Sequence, residues 1–132
     1  MTDILLDTNA YSHLLRGDEG VQEFSGNAEN VFLSVIVLGE LYAGFQRGSK
    51  RQRNLETLKR FLQKPQVHVL ELTERIAERF GQIHAYLRRI GKPIPTNDLW
   101  IASQTMNQNA TLVTYDRHFL NVPELAIWKE LN

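Results

Sequence analysis

The chain contains no cysteine, which excludes disulfides, thiolate metal sites and cysteine nucleophiles together. That absence fits a reducing cytoplasm. No apolar run approaches the roughly 20 residues a helix needs to cross a bilayer, so no membrane partner is expected. Net charge is absent too: fifteen Lys and Arg offset fifteen Asp and Glu. Any nucleic-acid binding must therefore come from a local patch. The opening Met1-Thr2-Asp3 leads straight into a strand-like run, without the basic segment and long apolar stretch of a signal peptide. There is no G-x-S-x-G elbow, phosphate-binding glycine loop or HExxH helix. What remains is an ordinary globular composition, 42% hydrophobic and 23% charged over 132 residues. It suits one domain spanning 1–132, with a single core.

Periodicity predicts an α/β fold. Strand-like runs fall at Asp3 to Asp7, Val31 to Ser34, Val67 to Leu70 and Thr111 to Thr114, with a last one near Leu125 to Trp128. Helical patterns lie between them. The first carries Tyr11, Leu14 and Leu15, capped by Thr8 or Asn9 and stopping near Gly17; residues 18–27 suggest a short helix. Ser34 can cap a helix through Ile36, Glu40, Leu41 and Phe45, and a basic helix follows from Ser49 until Pro65. The longest helix starts at Thr73, where Ile76, Phe80, Ile83, Leu87 and Ile90 form one apolar stripe suited to packing on the sheet. Thr96 opens another, and a short helix is expected near Arg117 to Leu120. Alternating strands and helices imply a mainly parallel sheet of four to five strands in a three-layer α/β/α arrangement.

Four acids, Asp7, Glu40, Asp98 and Asp116, stand where a strand ends or a helix begins. In open α/β sheets those positions share the edge where ligands bind. Carboxylates gathered there repel one another unless a cation holds them. Each acid alone has a structural reading: Asp7 and Asp98 as helix-terminal residues, Asp116 as a turn residue. Glu40 is hardest to dismiss, because its apolar neighbours place it in a helix expected to be substantially buried, with no Lys or Arg one turn away. Gly44 and Arg47 share its face; the glycine suggests close helix packing or room for a ligand, the arginine a phosphate contact. Thr8, Asn9, Asn97 and Thr114 flank the acids and can orient them. Oxygen ligands suit Mg2+ or Mn2+, which lowers the pKa of a bound water and neutralises charge on a phosphate. His13, His68, His84 and His118 show no metal-ligand spacing.

Leu5-Leu6-Asp7-Thr8-Asn9, Leu38-Gly39-Glu40-Leu41-Tyr42-Ala43-Gly44, Asn97-Asp98-Leu99-Trp100-Ile101-Ala102 and Leu112-Val113-Thr114-Tyr115-Asp116-Arg117-His118-Phe119 resemble the four signature segments of PIN domains. Their order and spacing are most similar to the VapC toxins of toxin–antitoxin pairs, from Asp3 to about Trp128. The resemblance implies a PIN-like fold and a Mg2+- or Mn2+-dependent endoribonuclease, with Asp7, Glu40 and Asp98 as the principal acids. Asp116 matches a fourth position where many relatives have asparagine, and Gly39 stands where alanine is commoner. It further implies inhibition by a VapB-type antitoxin, a homodimer, and a larger complex that reaches operator DNA through the antitoxin. The expected chemistry is in-line attack by metal-activated water, leaving a 5′-phosphate and a 3′-hydroxyl.

Arg47, Lys50, Arg51 and Arg53 begin a basic stretch that starts on the face of Glu40 and can follow an RNA backbone; a solvated helix face is the plainer reading. Two other classes fit the same residues: a PIN-like nuclease in RNA processing or on DNA without toxin biology, and a non-catalytic interaction module whose acids only cap helices.

Overall fold

Residues 2–131 are described in the computed structural model of the chain. Strands β1 (Ile4–Leu6), β2 (Val31–Ser34), β3 (Val67–Leu70) and β4 (Thr111–Val113) form one sheet in the order β3-β2-β1-β4, every pair parallel. Every residue of β1 and β2 is buried, as expected of central parallel strands covered on both faces, and this is why they read as unbroken apolar runs. Six helices connect the strands: α1 (Thr8–Leu15), α2 (Glu19–Gly26), α3 (Val35–Arg47), α4 (Arg51–Leu62), α5 (Glu74–Arg89) and α6 (Thr96–Asn107). Right-handed connections place α1–α4 on one face and α5–α6 on the other, giving the expected three layers.

The chain moves from β1 to β2 to β3, then returns across the sheet to β4 on the far side of β1. That reversal makes the gap between the carboxyl ends of β1 and β4 the switch point, where such sheets bind ligands. Asp7 follows β1 and Asp116 follows β4 at this gap. Ser34 ends β2 and its hydroxyl accepts from the Ile36 N–H at 2.9 Å, so α3 starts without a loop and carries Glu40 away from the same edge. A short link, 108–110, joins α6 to the start of β4, so the first turn of α6, with Asp98, lies toward the carboxyl end of β4.

Several elements differ from the sequence reading. Asp7, rather than Thr8 or Asn9, caps α1: its Oδ1 accepts from the Ala10 N–H at 2.8 Å. The apolar stripe of α5 packs on α6 rather than on the sheet. Ile76, Ile83 and Leu87 are buried there, while Ile90, just past the helix end, is exposed. The sheet side is taken by α6, where Leu99 and 101–105 are all buried. Its buried Ser103 and Thr105 hydroxyls donate to carbonyls one turn back, and Gln104 Nε2 donates to the Leu70 and Glu71 carbonyls, which satisfies donors that would otherwise oppose burial. The strand expected at Leu125 to Trp128 reduces to a single parallel bridge between Leu112 and Ile127. A left-handed Glu124 (φ 66°) turns the chain sharply before it, and a 3-10 helix (Lys129–Leu131) ends it. Trp128, buried with its indole N–H donating to the Thr114 carbonyl at 2.6 Å, anchors the segment in place of a ladder.

Candidate metal centre

The four acids converge on the β1/β4 gap, but with a different order of burial from that expected. Asp7 is the buried one, at 5% exposure. Its Oδ1 is held by the α1 cap and its Oδ2 by the Thr114 hydroxyl. Burial pushes the Asp7 carboxyl up to about 6, and the charges of Asp116 and Asp98 add to the rise. The hydrogen bonds from Thr114 and Ala10 oppose it without cancelling it.

Glu40 is only half-buried, contrary to the expectation of a substantially buried helix. On α3 only Val37 and Leu41 are buried, and Tyr42 and Ala43 face solvent. Among the described residues, no Lys, Arg or His forms an ion pair with Glu40. The Thr8 hydroxyl donates to its Oε1, and Asn97 Nδ2 donates to its Oε2 at 3.4 Å. Asp98 is half-buried in the first turn of α6. Burial raises its pKa, as do the charges of Asp116 and Glu40, while contact with His118 lowers it. Asp7, Asp98, Asp116 and Glu40 thus form one chain of mutual repulsion.

His118 is the functional candidate that sequence spacing missed. The 3-10 helix Arg117–Asn121 folds it back so that its Nε2 lies 2.8 Å from Asp98 Oδ2 and its Nδ1 3.8 Å from Asp116 Oδ1. One donor atom from each of Asp98, Asp116 and His118 lies within 4.8 Å of the others, close enough to share an ion. Asp7 and Glu40 flank that trio rather than belonging to it. The signal was the Asp-x-His spacing after β4, which reads as a polar turn until the turn is seen to close. Among the described residues, no Lys or Arg forms an ion pair with a carboxylate, so nothing but His118 offsets the acids. The donor set fits a divalent cation held by carboxylate oxygens and one imidazole.

Of the flanking residues, Thr8 and Asn97 hydrogen-bond to Glu40 and Thr114 to Asp7. Asn9 is exposed, and no hydrogen bond among the described residues joins it to them. Thr114 does the most. Fully buried, its hydroxyl donates to Asp7 and accepts from the Asp116 N–H at 3.0 Å. Thr114→Val keeps the shape but leaves both partners unmatched, and should cost about 1–3 kcal/mol of stability. Urea denaturation measures this; an unchanged midpoint and slope would contradict the assigned bonds.

Gly44 is not a close-packing position. A Cβ there would meet only Arg47 Nη2, at 3.9 Å. Arg47, Lys50, Arg51 and Arg53 are all exposed. A shallow groove lined by Val35, Ile36, Gly39, Glu40, Ala43 and Asn97 lies beside Glu40, and none of the four basic residues lines it. A separate cavity between α2 and the C-terminal segment, lined by Gly20, Glu23, Phe24 and Trp128, contains none of the acids.

One family model, that of the PIN domain, matches residues 4–125. The chain belongs to the PIN-domain family. Its similar relatives include ribonuclease VapC2 of Haemophilus influenzae, 31% identical over 86% of each chain. The tRNA(fMet)-specific endonuclease VapC of Salmonella typhimurium is 30% identical over 96% of this chain and 97% of its own. Among solved structures, DNA-bound VapBC from Salmonella typhimurium superposes with a TM-score of 0.84 at 30% identity, covering 97% of this chain and 98% of that one. VapBC2 from Rickettsia felis, bound to a promoter DNA fragment, gives 0.82 at 26% identity over 96% and 98%. No helix among the described residues is long and apolar enough to cross a membrane.

Proposed function

We infer that the chain, acting as a single PIN domain in the cytoplasm, is a metal-dependent endoribonuclease and the toxin of a VapBC-type module. The observation that carries this reading is the gathering of Asp7, Glu40, Asp98 and Asp116 around the switch point with no Lys or Arg among them. The relatives named as VapC ribonucleases supply the substrate class and the biological setting.

Mg2+ or Mn2+ is the proposed ion; when bound, it supplies a more acidic water and offsets charge on the phosphate. Asp98 and Asp116 would hold it from α6 and the turn after β4. Asp7 would add charge from beneath, kept in place by Thr114 and the α1 cap. Glu40, hydrogen-bonded by Thr8 and Asn97 on the side of the groove, would orient the attacking water. The exposed Arg47, Lys50, Arg51 and Arg53 are proposed to follow the RNA backbone leading to that groove. A VapB-type antitoxin is the proposed inhibitor, with a homodimer of this chain at the centre of the complex and operator DNA reached through the antitoxin. The solved VapBC assemblies support that part of the reading.

Incubation of the purified protein with RNA tests the metal requirement. EDTA should stop cleavage, and excess Mg2+ or Mn2+ should restore it. Undiminished cleavage in EDTA would rule out the mechanism.

A further inference from the structure

We propose that His118 is a nitrogen donor of the cation site and biases it toward first-row transition ions such as Mn2+ over Mg2+. This rests on the reading of the acids as a cation site and adds to it the choice of ion.

Three features of His118 lead here. Its Nε2 is buried at the site and lies 2.8 Å from Asp98 Oδ2, an ion-pair distance, so the ring nitrogen faces the carboxylates directly. The spacing also suits shared ligation. Donors about 2.0–2.1 Å from one octahedral ion lie about 3 Å apart along an edge, close to the observed separation. Finally, the ring is held there by its neighbour. Phe119 is fully buried and its ring centroid lies 4.8 Å from that of His118, so the core fixes the backbone that presents the imidazole.

The chemistry then separates the ions. Mg2+ takes oxygen ligands, keeps several waters and gives them up reluctantly. Imidazole nitrogen is a ligand for first-row transition ions. With carboxylates alone the site would treat Mg2+ and Mn2+ more nearly alike; a nitrogen in the set favours the latter.

The test uses the intact protein and two probes, calorimetric titration with Mn2+ and with Mg2+, and pulsed electron paramagnetic resonance of the Mn2+-loaded protein. Wild type should bind Mn2+ more tightly than Mg2+ and show 14N modulation from a coordinated imidazole. His118→Ala should weaken Mn2+ binding by at least about 10–100-fold, the loss caused by removing even a residue that orients a ligand. It should leave Mg2+ affinity nearly unchanged and abolish the 14N signal. His118→Gln, which offers oxygen instead, should bind both ions with the preference removed. Mn2+ bound without 14N modulation, or an unaltered Mn2+/Mg2+ ratio in His118→Ala, would overturn the assignment; loss of that binding in Asp98→Asn would show that the cation site itself stands. Wild type binding neither ion would overturn both readings. If the variants do not fold, the 14N signal of the wild type decides alone.

Discussion

Asp98→Asn is expected to lower RNA cleavage by at least about 10²–10³-fold, the loss produced by removing a single neutral donor from a transition state. Asp98 supplies a carboxyl oxygen to the tightest donor group of the site, so its removal should cost more than such a donor. The variant should still fold. Asp98 is not the cap of α6, whose N-cap Pro95 makes no side-chain bond, so besides its contact with His118 the change forfeits the favourable position of a negative charge in the first helical turn. That is worth about 0.3–1 kcal/mol. Repulsion from Asp116 and Glu40 is relieved at the same time. Steady-state cleavage of a fluorescent RNA, with circular dichroism on the same sample, checks both halves. A variant that folds and cleaves at the wild-type rate would remove Asp98 from the mechanism.

Asp7→Asn should do two opposite things at once, abolishing cleavage while stabilising the metal-free protein. The folded Asp7 carboxyl titrates near 6 against an ordinary 3.8, so below about pH 4 it is protonated in both states and has no effect. As pH rises toward 6 the unfolded chain loses this proton first, the folded state binds more protons, and stability falls. Above that range the ionised, buried carboxylate costs up to about 3 kcal/mol, at about 1.4 kcal/mol per pH unit. Asparagine avoids the charge and keeps the α1 cap through its oxygen, while its amide can donate to the Thr114 hydroxyl, which then loses the carboxylate as its own acceptor. At pH 8 in EDTA the variant should therefore melt roughly 5–10 °C above wild type, with the gap closing toward pH 4. Added divalent metal should reverse the order, because only wild type gains stability by binding it. A lower melting temperature for Asp7→Asn in EDTA at pH 8 would show that Asp7 is a structural cap first.

The framework was legible because it rests on local pattern. Ile4-Leu5-Leu6 and Val31-Phe32-Leu33 are buried on both sides of a parallel sheet and so read as continuous apolar runs. Ser34 and Thr73 cap the helices expected of them. The acids could be found for the same reason, each marking the end of a recognisable element. The ranking of those acids was not legible, because burial depends on what packs across from a residue. Glu40 has apolar neighbours in sequence, yet α3 shows several of them to solvent. Asp7 looks like a plain cap in sequence but lies beneath β4 and Thr114. The apolar stripe of α5 gave its helix but not its partner, since a stripe fits a helix as well as a sheet. The bridge at Ile127 and the return of His118 toward Asp98 both follow turns whose closure is decided by buried neighbours, Trp128 and Phe119, distant from or silent in the local pattern.

His118 sharpens the mechanistic question, because a histidine beside two carboxylates could also suggest metal-independent acid–base cleavage. The two routes leave different RNA ends. Water attack at a cation site leaves a 5′-phosphate and a 3′-hydroxyl, whereas attack by the ribose 2′-hydroxyl leaves a 2′,3′-cyclic phosphate and a 5′-hydroxyl. End analysis of RNA cut by the purified protein, with Asp98→Asn as control for contaminating nuclease, tests the central claim most directly. The account predicts 5′-phosphate and 3′-hydroxyl ends that disappear with Asp98→Asn. Cyclic phosphate ends that require the wild-type protein would contradict it.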